Sequence, residues 1–73
     1  MSKEGVETLE ILTWQARNNQ KLTLRQLAEL TGISKSTLHN IENGKNSPTL
    51  DELEIIASSL NVHITDLFNS DYK

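Results

Sequence analysis

The sequence predicts a compact all-α domain of five helices, and three observations support it. Apolar residues recur at helical spacing, and nowhere do they alternate at period two over the length of a strand. Two Thr-x-x-Gln/Glu capping boxes, Thr23 with Gln26 and Thr49 with Glu52, mark helix starts. Gly32, Gly44 and Asn61 stand where helices must stop.

The first helix is expected over Val6–Asn19, apolar over a wide arc through Val6, Leu9, Ile11, Leu12, Trp14 and Ala16, with a poorly marked start. The second opens on the Thr23 box and turns Leu24, Leu27, Ala28 and Leu30 inward; Gly32 then supplies a left-handed residue free of Cβ strain. Ser34 caps the third, which Gly44 ends, and a loop over Lys45–Pro48 follows. The Thr49 box begins the fourth, carried by Leu50, Leu53, Ile56, Ala57 and Leu60 and stopped by Asn61. A short fifth helix is expected over Ile64–Phe68 behind a weak cap at His63. Residues 1–5 and 69–73 read as flexible ends of one domain spanning 1–73.

At 73 residues with 36% apolar content, one small core is all the chain can bury. No stretch nears the roughly 18 apolar residues of a membrane span. The amino terminus has no signal-peptide core, so a cytoplasmic protein is expected. The absence of cysteine excludes disulfides, thiolate metal sites and a cysteine nucleophile. Net charge is −3 but unevenly spread. Residues 17–47 hold five cations and two acids, a balance of +3; the remainder holds two cations and eight acids, a balance of −6. A basic middle on an acidic chain suits a polyanion-binding face with a solvated back.

Leu24–Asn43 carries the functional signal: two helices joined by the tight turn Gly32–Ile33–Ser34. Leu27, Leu30, Ile33, Leu38 and Ile41 are spaced to fill the wedge between them, with the small Ala28 at their crossing. The opposite face of the third helix presents Ser36, His39, Asn40 and Asn43, flanked by Lys35 and Thr37. It bears no large apolar residue and no carboxylate. Lysine suits guanine O6 and N7, and asparagine can bond adenine N6 and N7 bidentately. A polar αα-hairpin with no ligand is the plainer alternative.

The run from Arg17 through Phe68 resembles the phage-repressor-like helix-turn-helix family, the Cro and Xre group. The matching pieces are Arg17 before a loop, LRQLAELTGIS, the ending IENGK, Ser47-Pro48-Thr49 and LNVHITDLF. The resemblance implies a five-helix lambda-repressor-like domain, bacterial or phage-encoded. It would bind a near-palindromic duplex DNA operator, usually as a homodimer, and regulate transcription, as a repressor in the expected case. It also implies base-reading roles for Lys35, Ser36 and Asn40, with Thr37 and His39 able to join. Phosphate-contacting roles fall on Thr23, Arg25, Asn43, Lys45 and Asn46, and an ion pair is implied between Arg17 and Glu42. Two departures stand out. Leu24 replaces a frequent phosphate-touching glutamine, and Thr13 occupies a usually apolar position. Ile11 and Trp14 form an extra stripe on the first helix, which either offers a surface to a dimer mate or protein partner or has Trp14 folding over the edge of the core. The end of the fifth helix, with Leu67, Phe68 and Tyr72, competes with it as a dimer surface.

His39 and His63 lie on different elements without metal-ligand spacing, and no phosphate loop or activated nucleophile is recognisable. No enzyme activity, cofactor or metal is expected. The alternative function is a protein-interaction module, antitoxin-like or accessory to a repressor, motivated by the acidic flanks and the Ile11/Trp14 stripe.

Overall fold

The structure, a computed structural model, describes residues 9–70. Its elements in chain order are strand β1 (Leu9–Ile11) and helices α1 (Thr13–Asn19), α2 (Leu24–Thr31), α3 (Lys35–Glu42) and α4 (Leu50–Leu60). A 3-10 turn (Ile64–Leu67) and strand β2 (Phe68–Ser70) complete them. Among the described residues there are four α-helices rather than five, and a small sheet that local periodicity did not predict.

Both ends of the chain depart from expectation for one reason. Leu9–Ile11 pairs antiparallel with Phe68–Ser70 in the register Leu9↔Ser70, Glu10↔Asn69, Ile11↔Phe68. The Leu12 N–H continues the ladder by donating to the Leu67 carbonyl at 2.8 Å. Pairing between segments so distant in sequence leaves no local trace. The first helix therefore begins at Thr13, and Val6 lies outside the described residues. The expected fifth helix is a single 3-10 turn, after which Phe68 is already extended at φ −151°, ψ 158°. Asn69 and Ser70, expected in a loose tail, form the rest of β2.

Between these ends, capping chemistry sets the boundaries. Thr23 Oγ1 accepts from the Gln26 N–H while Gln26 Oε1 accepts from the Thr23 N–H; Thr49 and Glu52 repeat the arrangement. Gly32 and Asn61 close α2 and α4 in the left-handed region, at φ 75° and 58°. Lys21, at φ 58°, does the same beyond α1. At the far end, the His63 N–H donates to the Asp66 carboxylate at 3.0 Å.

The core joins Leu27, Leu38, Leu53, Ile56, Ala57, Leu60 and Leu67, with Ala16, Leu22, Leu24, Ala28, Ile33, Val62 and Ile64 packed around it. Ile41 is buried as well. Two expected core residues are not in it. Leu30 is 57% exposed and Leu50 72% exposed. Thr31 is half-buried, donating from Oγ1 to the Leu27 carbonyl at 2.8 Å and accepting from the Ile33 N–H. Leu50 stands in the first turn of α4, ahead of the stretch where Leu53, Ile56, Ala57 and Leu60 meet the core. No helix among the described residues is long and apolar enough to cross a membrane.

Candidate nucleic-acid interface

The site is built from α2, the turn Gly32–Ile33–Ser34 and α3. Leu27 on α2 and Leu38 on α3 share the core, so the two helices are fixed against each other. Ser34 starts α3 by accepting from the Thr37 N–H (3.1 Å), and its own hydroxyl donates to Thr37 Oγ1 (2.9 Å). That leaves the Thr37 O–H to donate elsewhere.

With Leu38 and Ile41 buried, the helical repeat turns Lys35, Ser36 and His39 out to solvent, while Thr37 and Asn40 are half-buried. The side chains of Lys35, Ser36 and Asn40 have no hydrogen-bond partner among the described residues, so their donors and acceptors are free for a ligand. The backbone of Asn40 is busier: its carbonyl accepts from the N–H groups of Lys45 (2.9 Å) and Asn46 (3.3 Å), tying the following turn to α3. His39 Nε2 and Asn43 Nδ2 lie 2.9 Å apart. This links a residue nominated for bases to one nominated for phosphate.

The acid of α3 is turned the other way. Glu42 receives a two-pronged bond from Arg17 on α1, Nε to Oε2 at 2.7 Å and Nη2 to Oε1 at 3.0 Å. Their side chains are only 12% and 5% exposed. Arg17 Nη1 also donates to the Leu22 carbonyl at 2.6 Å, so one guanidinium holds α1, the loop before α2 and the end of α3 together. The pair cancels its own charge and leaves the outer face of α3 free of carboxylate.

Thr23 and Arg25 flank Leu24 at the start of α2. The Thr23 hydroxyl is spent as an acceptor on the cap but keeps its proton to donate. Arg25 is highly exposed and only loosely approached by Glu29, at 3.9 Å. Lys45 and Asn46 are exposed in the turn after α3, where their backbone N–H groups are committed to Asn40 and their side chains are not. Lys21, Lys35 and Lys45 have no ion-pair partner among the described residues. Sequence reasoning overlooked one feature. Leu24 lines a cleft of about 420 Å³ with Lys35, Ser36 and His39, which places the start of α2 beside the outer face of α3. From the sequence its apolar side chain is expected on the inner face of α2, out of reach of phosphate, and not beside the outer face of α3.

Other nominated surfaces divide. Ile11 belongs to β1, so it and Trp14 do not share a helical stripe; Trp14 is 48% exposed and Ile11 half-buried. Leu67 is fully buried and unable to meet a partner, and Tyr72 lies outside the described residues. Phe68 instead lines an apolar cleft of about 200 Å³ with Ile11, Pro48, Leu50 and Leu53.

Among characterised proteins, the chain is 46% identical over 48 residues to the HTH-type transcriptional regulator SutR of Escherichia coli, covering 66% of this chain and 27% of that protein. It is 39% identical over 49 residues to the immunity repressor protein of Bacillus phage phi105, covering 67% of this chain and 34% of the repressor. An enzyme, the methylphosphonate synthase of Nitrosopumilus maritimus, also matches, at 44% over 50 residues; the match covers 68% of this chain and 11% of the enzyme. The chain thus spans at most about a third of these relatives. A crystal structure of an HTH_3 family transcriptional regulator from Vibrio cholerae superposes with a TM-score of 0.70 at 40% identity, over 73% of this chain and 30% of that one. The helix-turn-helix family model matches residues 15–67. With that match running from within α1 to the end of the 3-10 turn, the chain belongs to the helix-turn-helix family.

Proposed function

We propose that the protein is a sequence-specific, double-stranded DNA-binding regulator of transcription, a repressor, that reads the major groove with α3. One observation carries the reading. The exposed side of α3 offers lysine, serine, histidine and asparagine groups, while its single acid is folded inward onto Arg17. A groove lined with base donors and acceptors and edged by phosphates rewards that arrangement, and a merely solvated helix has no need of it.

In this reading Lys35, Ser36, Thr37, His39 and Asn40 face base edges. Thr23, Arg25, Asn43, Lys45 and Asn46 face phosphates, helped by the free N–H groups at the start of α2. The names of the SutR and phage relatives support a regulatory and repressing role. A protein that works on intracellular DNA belongs in the cytoplasm, and the reading assigns it no catalysis.

One such module makes few contacts, so a homodimer on a near-palindromic operator is part of the proposal. The proposal assigns the apolar cleft around Leu50 and Phe68 to contact with the second copy. Selection of bound duplexes from a random pool tests the whole reading. It should recover one preferred sequence as two half-sites about 34 Å apart; recovery of no preferred sequence refutes it. The exposed Trp14 favours a second reading, a module whose main partner is another protein. A stoichiometric protein partner, with no retardation of any duplex at low salt, is the outcome that selects it.

A further inference from the structure

Leu24 serves two environments. It is half-buried and packs against the core cluster, yet it also lines the cleft whose other walls are Lys35, Ser36 and His39. Those three walls are polar or cationic and exposed. Polar walls suit the N7, O6, N6 and O4 atoms of base edges. An isobutyl group set among them suits only the thymine C5-methyl, the one apolar substituent that unmodified DNA presents in the major groove. The cleft holds about 420 Å³ and lies between the start of α2 and the outer face of α3. The cationic Lys35 on its rim suits a negatively charged ligand over a free apolar molecule.

We infer that Leu24 is a specificity-determining residue: together with Ser36 and His39 it receives the C5-methyl of a thymine beside the base pair that Lys35 contacts. This rests on the reading of α3 as the DNA-reading helix and extends it to a residue of α2. Covering Leu24 with the methyl removes both apolar groups from water, an effect of about fourfold in affinity per half-site for one buried methyl. A hydrogen-bonding residue at position 24 would not distinguish thymine from its demethylated analogue.

The test uses the full chain and the duplex recovered by selection, with each thymine replaced in turn by deoxyuridine, which lacks only the methyl. One position per half-site should lose about fourfold in affinity with the unaltered protein. Leu24→Gln and Leu24→Ala should each abolish that loss, with thermal melting confirming that the variants are folded. Indifference of the unaltered protein to every replacement overturns the inference. So does a methyl effect that survives in both variants, since another residue then meets the methyl. Failure to recover any preferred duplex sinks the underlying DNA-binding reading instead, and this assignment with it.

Discussion

Arg17 grips Glu42 through two hydrogen bonds, at 2.7 and 3.0 Å, and so anchors the last residue of the candidate reading helix to α1. Both side chains are nearly excluded from solvent. In that setting the attraction is little screened, but each charge depends on the other to offset its lost hydration.

Removing one partner should therefore cost far more than removing both. Arg17→Met leaves Glu42 buried and uncompensated and is expected to destabilise by about 3–5 kcal/mol. The double variant Arg17→Met/Glu42→Leu should recover most of that loss. Urea unfolding of the two single variants and the double variant checks this. A double variant as unstable as Arg17→Met alone would mean the pair is not an isolated unit.

Thr13 is 1% exposed, and its Oγ1 has no hydrogen-bond partner among the described residues. A buried hydroxyl without a partner costs stability that a methyl of similar shape does not. Thr13→Val is expected to stabilise the domain by about 1 kcal/mol, whereas Thr13→Ser, which keeps the hydroxyl and loses the methyl, should destabilise it. Thermal melting of the two variants should move in opposite directions.

Lys21 holds φ at 58°, a conformation its Cβ resists. Its N–H and that of Leu22 bond back to the carbonyls of Asn18 and Arg17, so the turn closing α1 needs that geometry. Lys21→Gly should gain roughly 0.5–1 kcal/mol after the entropic cost of glycine, and Lys21→Ala should gain nothing comparable. Denaturant midpoints of the two variants test the difference.

Lys45 is exposed beyond α3 with its ammonium unpaired among the described residues. As a phosphate contact it carries no sequence information, so Lys45→Ala should weaken preferred and scrambled duplexes alike. It should also reduce the steepness of the log–log salt dependence by about 2 for the dimer, about 1 per subunit. For a dimer with roughly six phosphate contacts, that slope starts near −5. Titrations at several salt concentrations measure both effects.

Much of this architecture is written locally. The capping boxes at Thr23 and Thr49, the Ser34 cap and the left-handed Gly32 each involve residues within a few positions of one another, and residue type alone specifies them. The amphipathic split of α3 is equally local, because Leu38 and Ile41 dictate where Ser36, His39 and Asn40 must point. Long-range structure was not legible in the same way. Nothing in LEI or FNS announces that Ile11 will pair with Phe68; helical spacing absorbs LEI and Phe68 into helices and leaves Asn69 and Ser70 to a loose tail. Leu30 and Leu50 failed as core residues because hydrophobicity identifies what gains from burial and not which direction the neighbouring helices lie. The Arg17–Glu42 contact joins positions 25 apart and came from resemblance, not from spacing. The cleft at Leu24 needs α2 and α3 in their packed arrangement before it exists at all.

If the outer face of α3 reads bases, Asn40 is the residue to probe, because its side-chain amide lies on that face without a partner among the described residues. Affinities of the unaltered protein and Asn40→Ala are measured on the selected duplex and on duplexes changed one base pair at a time. Asn40→Ala should lose about 1–3 kcal/mol per half-site on the selected duplex and relax the preference at one base pair per half-site. Unchanged preference at every base pair, in a variant that melts like the unaltered protein, would contradict it.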